Sequence, residues 1–129
     1  MNQQQQTKSH QQVCADELLQ TDWCYQSTEL VHTETINKQS HHRVLTRWYG
    51  KQGETLELLL NFVDEPFYDT RVVMPSSNCQ PEINDFTGLV DEFGFQLKGY
   101  RRRQLIWDLV MRVDLNRVSY DLQSRLASH

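Results

Sequence analysis

His32, His41, His42 and Cys24 are the residues whose side chains could hold a transition metal, since imidazole and thiolate are the usual zinc ligands. Their spacing does not suit the task. No C-x-x-C or H-x-x-x-H pair occurs. With Asn37 to Ser40 as a turn between strands, Ile36 faces His41 and His32 lies four residues down the ladder, on the order of 13 Å from His41 at about 3.3 Å per residue. His42 then points to the other face. Solvated turn histidines are expected, with no metal and no cofactor. Serine, histidine, aspartate and cysteine are all present, but G-x-S-x-G, H-E-x-x-H and a glycine-rich phosphate loop are not. No catalytic residue is assigned, and Asp64 beside Glu65 reads as a solvated turn.

The basic cluster Lys98, Arg101, Arg102 and Arg103 breaks a local rule. It stands where a long helix is expected to begin, although the positive end of the helix dipole disfavours cations there by about 0.3 to 1 kcal/mol each. Two compensations are open. Asp85, Asp91 and Glu92 can neutralise the cluster from within, and residues 81–129 carry seven acidic and seven basic side chains. Alternatively the arginines hold an anionic partner such as RNA, DNA or an acidic protein surface.

These groups need a scaffold, and its organising stretch is ETLELLLNFV, Glu54 to Val63. Leu56, Leu58, Leu60 and Phe62 occupy every second position and so one face of a strand. Burying four such side chains is worth roughly 6 to 12 kcal/mol. Trp23 to Ile36 is expected to be a strand with a bulge or a partly exposed edge, because its apolar positions switch parity. Arg43 to Tyr49 follows as the next strand. A three-residue loop, Lys51 to Gly53 with Gly53 left-handed, pairs Trp48 with Leu56, Val44 with Leu60 and Arg47 with Glu57; a two-residue loop would drive arginines into the leucine face. Asp64 to Pro66 should end the central strand, and Phe67 to Met74 should return as a fourth.

After this meander the period changes. Phe86, Leu89, Val90 and Phe93 fall at i, i+3, i+4 and i+7, predicting a helix with Asn84 at its start and Gly94 at its end. From Tyr100 onward, Trp107, Met111, Leu115, Val118, Leu122 and Leu126 form one helical stripe. Leu105, Leu109 and Val113 form a second, so the first half should be buried on two sides. Asp114 or Asn116 could divide this stretch into two helices. The fold class is therefore α+β: an antiparallel four-stranded meander followed by C-terminal helices packed on the sheet.

Length and composition set the outer bounds. The 129 residues, 38% hydrophobic and 23% charged, suit one domain over 13–129 behind a Gln-rich tail, 1–12, that has too little apolar surface to order itself. A short helix is expected within Val13 to Thr21. Net charge of −4 argues against a general nucleic-acid coat or a polybasic membrane binder. Three unpaired cysteines fit small buried hydrophobes in a reducing compartment. With no apolar run fit for a signal core or a bilayer span, a cytoplasmic address and no membrane partner are expected.

In this register Leu45, Tyr49, Leu59 and Val63 fall on the reverse face of the sheet, alternating with Arg43, Arg47, Glu57 and Asn61. Either the long helix and the N-terminal segment divide the covering of both faces, or the reverse face meets another chain, and a mixed aromatic, aliphatic and arginine surface has the composition of an interface. The leading expectation is a non-enzymatic protein-interaction module, such as an inhibitor, immunity-type, chaperone or adaptor protein. It would bind a protein partner or itself, as a homodimer, through that face or a free stripe of the last helix. A nucleic-acid binder using Lys98 to Arg103 is the alternative, and a small enzyme with a site between sheet and helices is the third.

Overall fold

A computed structural model describes residues 12–67, 70–76, 80–83 and 88–127. The expected tail, 1–12, lies outside them except for Gln12. In chain order the elements are β1 (Gln12–Cys14), α1 (Ala15–Gln20), β2 (Cys24–Ile36), β3 (Gln39–Tyr49), β4 (Thr55–Phe67), β5 (Thr70–Pro75), β6 (Glu82–Ile83), β7 (Gly88–Val90), α2 (Gly99–Val110) and α3 (Leu115–Ala127). The α+β class holds: β2 to β5 form an antiparallel sheet in sequential order, and the C-terminal helices pack on it. β6 also pairs with β4, at Leu58 and Leu59, whereas β5 pairs with Phe62 to Phe67. Both therefore line the edge of β4 that β3 does not occupy.

The central register is the one the sequence requires. Trp48 pairs with Leu56, Val44 with Leu60 and Arg47 with Glu57, and Gly53 closes the loop at φ +87°, a conformation costly for any residue with a Cβ. Val44 and Trp48 of β3 and Leu56, Leu58, Leu60 and Phe62 of β4 are buried with Leu105, Ile106 and Leu109 of α2 and Val118 and Leu122 of α3. Thr46 is a polar member of this face. Its hydroxyl donates to Leu58 O at 3.0 Å and accepts from Trp48 Nε1 at 2.9 Å, so the indole is buried with its N–H satisfied. β2 carries register shifts at Tyr25/Ser27 and Leu30/His32, the bulges implied by its parity switch.

Several expectations are corrected. The β2–β3 turn is tighter than Asn37 to Ser40: Asn37 and Lys38, at φ 52° and 67°, make a two-residue type I′ hairpin whose twist matches its strands. Ile36 thus faces Gln39, Glu34 faces His41 and His32 faces Arg43. β4 also runs through Pro66 to Phe67; its ladder with β3 stops at Val63, leaving an edge where a missing N–H costs no bond.

Among the described residues of the expected Phe86 to Phe93 helix, 88–93, none is helical. Asn84 and Phe86 lie outside the described residues, Leu89 and Val90 are extended in β7 parallel to β1, and Phe93 is exposed. The helical spacing is outcompeted by Asp91, whose Oδ1 accepts the backbone N–H groups of Phe93 and Phe95, both at 2.9 Å, and folds a turn instead. The C-terminal stretch is broken between Met111 and Asp114. Asp114 Oδ1 accepts from the Arg117 N–H at 3.2 Å and caps α3. No described helix is long and apolar enough to cross a membrane.

Candidate interaction surfaces

On the reverse face, Arg43, Leu45, Arg47 and Leu59 are half-buried, Tyr49 is exposed and Val63 is buried. The strands bring all six expected interface residues to one side of the sheet, with Leu45 beside Leu59. Its charges are largely satisfied internally. Arg47 donates to Glu57 at 2.9 Å and Glu29 at 3.1 Å, bonds that hold its guanidinium above the usual pKa. Arg43 reaches Asn61 at 3.1 Å and Glu82 at 3.5 Å. Cross-strand ion pairs of this kind order a sheet surface and leave few donors seeking a partner.

Sharing Arg43 and Asn61 with this patch, a cavity of about 520 Å³ also includes His32, Glu34, His41 and Ser76. The shortened turn is what brings His32 and His41 to one cavity rather than far apart. Among the described residues no three His, Cys, Asp or Glu side chains are placed to hold a metal ion. His42 and Asp64 are not the solvated turn residues expected. His42 is buried on the core side, bonded to Thr33 Oγ1 and Asp64 Oδ1, each at 2.9 Å. The resulting hydroxyl–imidazole–carboxylate chain links β2, β3 and β4. Cys24 is exposed and Cys14 half-buried, so neither is the buried thiol expected; Cys79 lies outside the described residues.

The basic cluster is divided by the fold. Arg101 meets Asp91 at 3.4 Å. Hydrogen bonds from Phe95 and then Phe93, reinforced by the Arg101 charge, hold the Asp91 carboxyl below the usual range despite its desolvation. Among the described residues no carboxylate pairs with Lys98, Arg102 or Arg103. Asp85 lies outside them. The first turn of α2 contains no acidic residue, and Lys98 at its N-cap makes no side-chain cap bond.

The outer face of α2 is the surface that the site assignment from sequence missed. Leu105, Ile106, Leu109 and Val110 face the core. At about 100° per residue Trp107 lies roughly 160° around the helix from Leu109, in line with Tyr100 and Met111. Tyr100, Trp107 and Met111 are 70%, 40% and 79% exposed. The two-sided apolar pattern was visible in the sequence, but the expectation that both sides are buried is met on only one. Beside the stripe, between α1 and α2, lies a groove of about 300 Å³ with Leu19, Leu97 and Leu105 in its lining and Asp16, Glu92 and Asp108 around them. This chain matches no family model, no curated protein and no solved structure.

Proposed function

We propose that this chain is a non-enzymatic protein-interaction module, of the inhibitor, immunity, chaperone or adaptor kind, that docks a protein through the outer face of α2. The observation that carries the reading is the outer apolar stripe of that helix and its C-cap, Tyr100, Trp107 and Met111, exposed opposite the stripe that fills the core. Aromatic residues, methionine and arginine are the side chains enriched at interfaces, and tryptophan and tyrosine dominate their energetics. The reverse sheet face, with its arginines already paired, is the weaker docking surface. Affinity capture with the whole chain and its Trp107→Glu variant tests the assignment. Loss of the partner from the folded variant is expected, with retention by Tyr49→Glu and Leu59→Glu. Capture that survives Trp107→Glu but fails in the latter pair moves the site to the sheet.

Lys98, Arg102 and Arg103, which meet no carboxylate among the described residues, favour a second reading, a nucleic-acid binder. It requires that Arg102→Glu with Arg103→Glu abolish RNA or DNA binding and that affinity fall steeply with salt. No binding at low salt removes it.

A further inference from the structure

We infer that the occupant of the α2 outer face is a second copy of this chain, packed antiparallel about a two-fold axis with α2 against α2. This inference rests on the interaction-module reading and names its partner. A two-fold contact demands that one surface carry both a protrusion and the recess that receives it. Here Trp107 and Met111 stand on the helix whose flank forms the groove above Leu19, Leu97 and Leu105. The exposed side chains of each copy can therefore fill the groove of the other.

Charge favours the same occupant. Asp16 and Glu92 at the groove, and Lys98 and Arg103 along the start of α2, form no salt bridge among the described residues. An acidic peptide would complement only the cations, and a phosphate backbone would be repelled by the carboxylates. A second copy offers both signs. Orientation follows from Arg101 and Asp108, two helical turns apart on one flank of the stripe. Antiparallel packing brings that flank against itself reversed, so Arg101 of one copy faces Asp108 of the other; parallel packing would set Arg101 beside Arg103. Arg101 is 61% exposed even while it contacts Asp91, and its planar group has further donors to offer.

The contact is small. A helix of 12 residues is about 18 Å long, well below the side of a standard interface of about 1,600 Å², so the dimer forms and dissociates with concentration. Sedimentation of the whole chain from about 1 μM to about 500 μM, a range that brackets weak association, is the test. Reductant is included because Cys24 is exposed. The expected result is monomer giving way to dimer, and no larger particle. Trp107→Glu should weaken association at least about thirty-fold, as a central interface tryptophan does, with Tyr49→Glu unchanged. Asp108→Arg should weaken it, and adding Arg101→Asp should restore it. Monomer at every concentration, or a dimer indifferent to Trp107→Glu, overturns the inference. A monomeric wild type that captures another protein through Trp107 refutes self-pairing alone; one that captures nothing through that face refutes the interaction-module reading as well.

Discussion

Thr46→Val replaces a buried hydroxyl by a methyl group of the same shape, the kind of change that a core ordinarily tolerates. Here it should not. The hydroxyl is fully buried, donates to Leu58 O and accepts the only N–H of the Trp48 side chain. Losing the first bond costs about 0.5 to 1.5 kcal/mol, and stranding the indole donor costs a further 1 to 3 or so. Against this the added methyl returns about 0.8 kcal/mol, for a net loss of about 1 to 4 kcal/mol. Thr46→Ser keeps the hydroxyl and removes only a methyl, so the polar substitution should be the milder one. Urea unfolding followed by circular dichroism and tryptophan fluorescence gives both differences. A Thr46→Val protein as stable as wild type, or more stable than Thr46→Ser, would show that this hydroxyl does not satisfy Trp48. A double-mutant cycle with Trp48→Phe should then find no coupling.

Lys38→Gly should stabilise the protein by up to about 1 kcal/mol in thermal unfolding, because the second turn residue sits at φ 67° and glycine adopts it without strain. Asp91 titrates below its unfolded value when folded, so its contribution is present above the usual carboxylate pKa and is lost as pH falls through the folded one. Asp91→Asn should therefore flatten the acid limb of stability against pH, read from urea midpoints. Burial foremost, then the bond to Asp121, raise the Tyr25 pKa; its contribution is present below the unfolded phenol pKa and is lost as pH rises through the folded value. Absorbance titration should show one tyrosine ionising late, and Tyr25→Phe should remove it. Met111→Glu should change unfolding free energy by less than about 1 kcal/mol, since that side chain is 79% exposed; a larger loss in thermal unfolding would place it in the core.

The sheet was legible because alternation, turn chemistry and charge pairing all selected one register: Trp48 opposite Leu56 and Arg47 opposite Glu57 satisfy every constraint together. Where only one signal spoke, it misled. The spacing of Leu89, Val90 and Phe93 is helical, yet a single carboxylate, Asp91, bonds the local backbone and turns it. Chain parity likewise could not reveal that the Asn37–Lys38 turn needs only two residues, so the relation of His32 to His41 was misjudged. The candidate site was half legible. Two apolar stripes on the last helical stretch could be counted, but which one meets the core depends on the break before Asp114, a tertiary choice that spacing does not encode.

Methionine oxidation by peroxide tests the central claim most directly, since Met111 at the C-cap of α2 and Met74 on β5 are both exposed in the single chain, at 79% and 48%, and only the first lies on the proposed docking face. Peptide mapping should find both sulfurs oxidised readily in dilute protein, and Met111 alone protected once the protein is concentrated or bound to its partner. Oxidation of Met111 that keeps pace with Met74 in the assembled state would contradict the account.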